Sequence, residues 1–320
     1  MKEYSIGIDT SNYKTSVAVV DKEDNIIYDG RIFLEVKDGM LGIRQQEALF
    51  QHISNLPILL EEAFDKTVDG KIISVSASSR PRPLEGSYMP CFLAGIKQCD
   101  VIASLIKCEK HYFSHQEGHL ASAVRFTDLR NSKRIVFTHF SGGTTEILLY
   151  DNGRIELLGG SLDISFGQLL DRIANELGFK FPGGEKIDSL AFSFAPTKDY
   201  KNLLPRIKMD GLSFNLSGIE TAAKKILSSV SFEELSYMLF ERILECTKEI
   251  IETSLTKEIL GDENIDGFLF SGGVSASKFI RRGLKDFDKY NICFSDPALS
   301  SDNAIGIAFL GGDKFWPENQ

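Results

Sequence analysis

Two histidines, His115 and His119, lie four residues apart in the segment SHQEGH. On an α-helix this spacing places both imidazoles on one face, where they can bind one metal ion. In the zinc-protease motif HExxH, a general-base glutamate directly follows the first histidine. Gln116 holds that place here, and Glu117 lies about 200° around a helix from His115. The segment therefore disfavours a protease and leaves two options, a metal site or two ordinary polar residues on a helix.

A metal site needs further ligands, and Asp302 in the segment SSDNAIGIA is the candidate for the third. Two histidines and one carboxylate form an open three-ligand site that suits zinc or iron, with magnesium as an alternative. The open positions of such a site could accept phosphate oxygens. The other interpretation is that Asp302 only caps the helix that follows it.

Glycine pairs follow apolar strand patterns at two places with the same sequence, FSGG, at residues 140–143 and 270–273. A third pair, Gly183 and Gly184, follows Pro182. Glycine lets backbone N–H groups approach a phosphate, and a helix N-terminus favours an anion. None of the three segments is a P-loop or a Rossmann fingerprint. They indicate either a nucleotide site of another class or three tight turns.

Asp171 lies between apolar positions in the helical pattern LLDRIANELGF. One interpretation places its carboxylate over a ribose hydroxyl. The other places it on a solvated helix face, and the sequence alone favours the solvated face.

Strand patterns recur along the chain in the same order. Two sets of three strands are predicted, at residues 4–9, 15–20, 26–33, 134–140, 145–150 and 154–158. Helical patterns follow both sets. The recurrence predicts a duplicated α/β fold with a cleft between the halves.

The remaining elements follow from apolar residues at helical or strand spacing. Helices are predicted at residues 44–66, 90–107, 115–126, 166–177, 216–227, 232–259, 276–285 and 303–310, and strands at 71–77, 265–270 and 291–294. Pro57 is expected to kink or split the first helix.

Composition narrows the class of protein. The chain has 320 residues and a net charge of −9, which argues against a whole surface devoted to nucleic acid, while a local basic patch can still touch RNA. Its five cysteines are scattered, so neither a disulfide framework nor a zinc ribbon is expected. The segment MKEYSIGID runs directly into a strand pattern without a signal peptide, and no apolar run is long enough to span a bilayer. These features predict a cytoplasmic protein with no membrane partner.

The motifs occur in the order found in the TsaD family of tRNA threonylcarbamoyl transferases, formerly called O-sialoglycoprotein endopeptidases. HQEGH resembles the family's HMEGH, GIDTS resembles GIETS, and FSGGTTEIL resembles VSGGHTQL. FGQLLDRIANELGFKFPGG is similar to GEAFDKTAKLLGLxYPGG, and LSFNLSGIETA to DFSFSGLKTA. FSGGVSASKFIR and SSDNAIGIA resemble AGGVSANxxLR and CTDNGAMIA. The resemblance covers nearly the whole chain.

The resemblance implies an α/β, duplicated actin-like ATPase fold of the sugar kinase, Hsp70 and actin type, with two lobes and a central nucleotide cleft. The first lobe is expected at residues 1–131, with helix 302–312 packing back on it, and the second at 132–300. Further implications are a divalent metal ion on His115, His119 and Asp302, and catalytic roles for Asp9 and Ser11. ATP, ADP or an acyl-adenylate is expected to bind Ser141, Gly142, Gly143, Thr144, Asp171, Gly183, Gly184, Gly272, Gly273 and Ser277.

The implied reaction passes a threonylcarbamoyl group from its adenylate to the exocyclic amine of a tRNA adenosine. The substrate is then tRNA or another acceptor, and protein partner subunits of a threonylcarbamoyladenosine synthesis complex are expected. Two alternatives are a carbamoyltransferase with another acceptor and a non-catalytic nucleotide-binding scaffold subunit. The retained His115, His119 and Asp302 favour chemistry over scaffolding.

The chain departs from the family pattern around these motifs. Asn12-Tyr13-Lys14-Thr15 stands where the family has Cys-Asp-Glu-Thr, so an aromatic ring and a cation replace two acidic groups. Thr144 replaces the histidine of SGGHT, and Ser277 replaces the asparagine that ends GGVSAN. These changes leave the acceptor open.

A further departure is the segment at residues 76–90, which replaces the family's short TAGPGL loop. It is longer, contains prolines, and carries Arg80 and Arg82. It is expected to be a rigid cationic loop that binds RNA or another anion, or else a solvated surface loop.

Overall fold

The computed structural model describes residues 1–11, 13–36, 43–197, 200, 203–261, 263–300 and 303–316. The chain divides into two compact units. The first unit is Met1–Arg125 with Leu299–Gln320, and the second unit is Phe126–Ala298. Each unit contains one mixed β-sheet. Among the predicted residues, Asn12 and Asp302 lie outside the described part of the chain.

The first unit opens with an antiparallel meander that leads into two parallel strands. Its elements are β1 (Lys2–Asp9), β2 (Lys14–Asp21), β3 (Ile26–Phe33), α1 (Gln45–Asp65), β4 (Gly70–Arg80), α2 (Phe92–Ile106), β5 (Glu109–Ser114) and α3 (His115–Val124). The sheet order is β3-β2-β1-β4-β5. Pairs β1–β2 and β2–β3 are antiparallel, and pairs β1–β4 and β4–β5 are parallel.

The second unit repeats this arrangement and extends it. Its elements are β6 (Arg134–Phe140), β7 (Thr145–Asp151), β8 (Arg154–Ser161), α4 (Phe166–Glu176), α5 (Gly184–Ser193), β9 (Met209–Asp210), β10 (Ser213–Phe214), α6 (Ser217–Ile226), α7 (Phe232–Ser254), α8 (Lys257–Leu260), β11 (Gly267–Ser271), α9 (Lys278–Gly283) and β12 (Ile292–Phe294). The sheet order is β12-β11-β6-β7-β8-β10-β9. Strands β8-β7-β6-β11-β12 have the order and relative directions of β3-β2-β1-β4-β5. The predicted duplication of an α/β fold is therefore confirmed.

The last helix of the chain, α10 (Ile305–Gly312), belongs to the first unit. It covers one face of that sheet, while α1 and α2 cover the other, so β1 and β2 are buried almost throughout. Two glycines allow this close packing. A Cβ atom on Gly7 would overlap the carbonyl oxygen of Ala304, and one on Gly306 would overlap the carbonyl oxygen of Gly118. Gly118 is the glycine of HQEGH, so α10 lies directly against the histidine-bearing helix.

Two local predictions differ from the structure, and one strand was not predicted. Pro57 does not split the first predicted helix, because α1 continues through it. Pro57 and Ile53 are both exposed, so the Ile53 carbonyl that loses its helical partner can face water. Strand β5 was not predicted, since its sequence EKHYFS is charged and polar at its exposed end. The single helix predicted at 232–259 is interrupted between α7 and α8.

No helix in the described ranges combines the length and the apolar character that crossing a membrane requires.

Candidate functional site

Helix α3 begins at His115 because Ser114 caps it. Ser114 Oγ accepts a hydrogen bond from the Glu117 backbone N–H at 3.1 Å, and Glu117 Oε2 accepts one from the Ser114 backbone N–H at 2.6 Å. This reciprocal capping box satisfies two of the unpaired donors at the helix start. Glu117 is thus occupied by the backbone, which agrees with the view that it is not the general base of a protease.

The two histidine rings converge on the same face of α3. Their Nε2 atoms lie 2.9 Å apart, and the ring planes are nearly perpendicular. Two zinc–nitrogen bonds of about 2.1 Å each can span this separation. The arrangement fits a pair of ligands that share one ion.

The buried carboxylate of Asp9 contacts Nδ1 of His115, the ring nitrogen that does not face His119. Asp9, at the end of β1, is fully buried, and its Oδ1 lies 3.0 Å from His115 Nδ1. Its other oxygen, Oδ2, accepts a hydrogen bond from Ser11 Oγ at 2.9 Å. A carboxylate at Nδ1 favours the tautomer with a proton there, which directs the Nε2 lone pair toward His119. Metal-ligating histidines are commonly oriented in this way.

Asp302, the third predicted ligand, lies outside the described residues, so only the contacts of its neighbour Asn303 are described. Among the described residues, no group of three His, Cys, Asp or Glu side chains is placed to hold one ion. Asn303, next to Asp302 in the chain, donates from Nδ2 to the Leu299 carbonyl at 3.0 Å and accepts from the Ile305 N–H at 2.9 Å. Helix α10 then begins at Ile305 with Ala304 as its N-cap. The chain next to Asp302 is therefore anchored in the unit that contains the histidine pair.

The loop after β1 is held by a histidine that sequence reasoning missed. His52 is fully buried in α1, and its Nε2 donates to the Ser11 carbonyl at 2.7 Å. Its Nδ1 therefore accepts from Thr15 Oγ1 at 2.8 Å. Burial lowers the pKa of His52 below its ordinary value of 6.5, so the ring is neutral at pH 7. A single histidine on an apolar helix face gave no signal of this role.

The thiol of Cys91, on which the charge of Asp9 acts, is not activated. Burial, followed by the charge of Asp9, raises the pKa of Cys91 to about 11. At neutral pH this thiol is protonated and is a poor nucleophile.

In the second unit, the first FSGG segment forms the turn between β6 and β7. The Ser141 backbone N–H donates to the Thr144 carbonyl at 2.8 Å, and Ser141 Oγ accepts from the Thr144 N–H at 3.1 Å. Around Gly142 and Gly143 there is open space where a Cβ atom would lie. Ser141 and Thr144 thus fix the turn, and the two glycines leave its backbone approachable.

The second FSGG segment lies beside the first. Gly272 has a φ of +95°, and a Cβ atom there would overlap the carbonyl oxygen of Phe140. Only glycine suits both conditions. Gly273, by contrast, has a φ of −60° and open space beside it. The structure therefore brings the two glycine turns together at the ends of β6 and β11.

Two other predicted nucleotide residues have partners within the chain. The Ser277 hydroxyl donates to the buried carboxylate of Asp188 and accepts from the Ile280 N–H at 3.2 Å, which caps α9. Asp171 Oδ1 accepts from the N–H groups of Gly183 at 2.8 Å and Gly184 at 3.2 Å.

The Asp171 contacts bear on two expectations from the sequence. The carboxylate does not simply lie on a solvated face, because it joins α4 to the start of α5. The N–H groups of Gly183 and Gly184 are directed at Asp171, so a nucleotide contact at these two glycines would have to use other atoms. The sequence could not show this pairing, since it joins residues on two different helices.

Solved structures show which class of fold this is. The crystal structure of T. kodakarensis HypF superposes with a TM-score of 0.61 at 14% identity, covering 99% of this chain and 48% of that one. A ROK family glucokinase from Streptomyces griseus superposes with a TM-score of 0.53 at 11% identity, covering 97% and 99%. The chain has the actin-like ATPase fold of the sugar kinase type, as the resemblance to the TsaD family implied.

Sequence relatives then identify the family. The model of TsaD, tRNA N6-adenosine threonylcarbamoyltransferase, matches residues 35–309. A protein of that name from Neorickettsia sennetsu is 29% identical, covering 97% of this chain and 93% of the relative. Another from Archaeoglobus fulgidus is 30% identical, covering 96% and 90%. The chain belongs to the TsaD family and is a transferase.

Proposed function

We propose that this chain transfers a threonylcarbamoyl group from its adenylate to the exocyclic amine of a tRNA adenosine, with one divalent metal ion on His115, His119 and Asp302. The observation that carries the proposal is the pair of converging Nε2 atoms, 2.9 Å apart, with the Asp9 carboxylate behind His115. The names of the relatives, tRNA N6-adenosine threonylcarbamoyltransferase, supply the acceptor and the group transferred.

Two imidazoles and one carboxylate suit zinc or iron better than magnesium, which prefers oxygen ligands. When bound, such an ion supplies Lewis-acid polarisation of the carbamoyl group and stabilises the charge on the departing phosphate. Asp9 keeps the proton of His115 on Nδ1, and Ser11 donates to the second oxygen of Asp9. His52 in turn fixes the backbone of Ser11. These contacts pre-organise the ligand before substrate arrives.

The nucleotide part of the adenylate, or ATP or ADP, is proposed to bind the glycine turns of the second unit. Gly142, Gly143 and Gly273 offer backbone without a side chain in the way. Ser141 and Thr144 hold the first turn in shape. Ser277 is proposed to support the neighbouring segment, since its hydroxyl already bonds Asp188, and Asp171, whose Oδ1 bonds Gly183, is proposed to reach a ribose hydroxyl with Oδ2.

The transfer itself needs no covalent enzyme intermediate. The adenosine amine attacks the carbamoyl carbon, the bond from that carbon to the phosphate oxygen breaks, and AMP leaves with the electron pair. The proton lost by the amine passes to water. The protonated thiol of Cys91 is consistent with a route that uses no enzyme nucleophile.

Protein subunits of a threonylcarbamoyladenosine synthesis complex are proposed as partners, and the cytoplasm as the place of action. Both follow from the resemblance to the TsaD family and from the tRNA substrate.

Incubating the purified protein with threonylcarbamoyl-adenylate, with and without tRNA, tests the proposal. AMP release should rise with tRNA and fall in Asp302→Ala and His119→Ala. AMP release that does not depend on tRNA would mean that the acceptor is another molecule. The presence of Tyr13 and Lys14 where the family has Asp and Glu would explain that result. No release from a chain that still binds ATP would favour a scaffold subunit. An Asp21→Asn variant, altered in a buried aspartate at the far end of β2, is the matched control.

A further inference from the structure

We infer that the loop at residues 81–91 binds unpaired nucleotides of the RNA acceptor beside the histidine pair, with Tyr88 stacking on a base and Arg82 contacting a phosphate. The inference rests on the proposed function, because it names the surface that would hold the tRNA acceptor. It concerns the segment that departs most in length from the family pattern.

One end of the 81–91 loop is attached to the start of α3. Arg80, the last residue of β4, is the sheet partner of Ser114, which directly precedes His115. The Pro81 carbonyl then accepts a hydrogen bond from the Gln116 backbone N–H at 3.1 Å. Arg80 Nη2 lies 3.9 Å from Glu117 Oε2. The loop therefore leaves the sheet directly beside the first histidine.

The other end of the loop is attached beside Asp9. Thr10 Oγ1 donates to the Cys91 carbonyl at 3.1 Å, and Thr10 follows Asp9 in the chain. The ring of Phe92, the next residue, lies 6.4 Å from the ring of His115 between centroids. Both ends of the loop thus border the Asp9–His115 pair, which places the loop on the same side of the unit as that pair.

Internal hydrogen bonds close the 81–91 loop, and its backbone conformation is restricted. The Arg82 backbone N–H donates to Ser87 Oγ at 3.1 Å, and the Ser87 N–H donates to the Leu84 carbonyl at 3.2 Å. Gly86 turns the chain with a φ of +77°. Prolines 81, 83 and 90 fix further backbone angles. A pre-ordered loop loses less conformational entropy when it binds a partner.

Two exposed side chains of this closed loop, Tyr88 and Arg82, suit single-stranded RNA, while its exposed Glu85 has the opposite charge. Tyr88 is 63% exposed, and Arg82 is exposed as well. Unpaired RNA bases stack on aromatic rings, and arginine contacts phosphates or stacks on bases. The net charge of −9 means that the whole surface does not attract RNA, so a local contact has to supply the affinity. Arg82 is exposed within the loop itself, whereas Arg80 is only partly exposed at the end of β4, so Arg82 is the proposed phosphate contact.

Fluorescence anisotropy with labelled tRNA and no adenylate tests the inference. Tyr88→Ala should weaken binding about 5- to 150-fold, the effect of losing one base stack. Tyr88→Phe should restore it, because the ring remains. Arg82→Ala should reduce the slope of log affinity against log salt by about 0.7, as expected for one contact to a single strand.

Two exposed residues of the same unit serve as controls. Lys71 lies near the opposite end of β4 from Arg80, and Phe50 is 68% exposed on α1, close to the exposure of Tyr88. Lys71→Ala and Phe50→Ala should bind tRNA like the unaltered protein.

Unchanged affinity in both Tyr88→Ala and Arg82→Ala would overturn the inference. The inference would also be overturned if these variants kept their tRNA affinity but no longer bound a protein partner subunit, since the loop would then be a protein-binding surface. The assay contains no adenylate, so its result does not depend on whether transfer occurs. A chain that binds tRNA through Tyr88 but never transfers the group would refute the proposed function and leave this inference standing.

Discussion

Replacing Asp9 with asparagine tests how the first metal ligand is held. Asp9 is fully buried, and its Oδ1 lies 3.0 Å from His115 Nδ1. Asn has nearly the same shape, so Asp9→Asn removes the negative charge without leaving a cavity. The amide also no longer favours a proton on Nδ1 over one on Nε2. A fraction of the chains will then have His115 with its lone pair turned away from His119.

The expected loss is about 10- to 100-fold in metal affinity, the usual effect of removing a partner that orients a ligand. That range corresponds to about 1.4–2.8 kcal/mol. The upper half of the range is expected here, because burial leaves no water to replace the carboxylate. Titration of zinc against a competing chelator measures the affinity, and circular dichroism with urea unfolding checks that the fold is kept.

Two variants separate this explanation from general damage to the site. Ser11→Ala removes the hydrogen bond to Oδ2 but leaves Oδ1 opposite His115, so its loss should be smaller. Asp21→Asn alters another buried aspartate, whose partners are Glu23 and Asn25, and should leave zinc affinity unchanged. If Asp9→Asn binds zinc as tightly as the unaltered protein while remaining folded, then the carboxylate does not orient the ligand and the reasoning is refuted.

Three further substitutions, one of them with a matched control, test other parts of the structure. Gly272→Ala should destabilise the protein by at least about 2 kcal/mol in urea unfolding, from a left-handed φ and an overlap with the Phe140 carbonyl. Its matched control, Gly273→Ala, should change stability by less than about 0.5 kcal/mol but weaken ATP binding by calorimetry; equal stability losses would contradict this account. Arg125→Met leaves two partly buried aspartates without their cation and should cost about 3 kcal/mol by urea unfolding, and a loss below about 1 kcal/mol would count against the pairing. Because burial lowers the pKa of His52 below 6.5, the unfolded chain binds the extra proton, and stability should fall as pH drops below about 6.5. His52→Gln should flatten that fall between pH 7.5 and about 5.5, and an unchanged pH slope would exclude His52 as a contributor.

Much of the fold could be predicted because the patterns that encode it are local. Strands β3 and β6 begin and end at the predicted residues, and β6 is an apolar run that is largely buried. Strand β5 escaped detection because only its last residues are buried. Pro57 does not split α1, because its effect depends on whether the affected carbonyl can face water, which only the folded protein determines.

The candidate site could be predicted in part for a similar reason. The spacing of His115 and His119 lies within one helix, so the sequence alone suffices to put them on one face. The contact of His115 with Asp9 joins residues from α3 and β1, and the support of Ser11 by His52 joins two further elements. Such contacts depend on the tertiary fold, and no local pattern encodes them.

The most direct test of the proposed function is to identify the product on the RNA. The unaltered protein and Asp302→Ala would each be incubated with threonylcarbamoyl-adenylate and tRNA, and the tRNA would then be digested to nucleosides for mass spectrometry. We expect threonylcarbamoyladenosine from the unaltered protein and none above background from Asp302→Ala. Equal amounts of this nucleoside from both proteins would contradict the metal site, and its absence from both, with the adenylate consumed, would contradict tRNA as the acceptor.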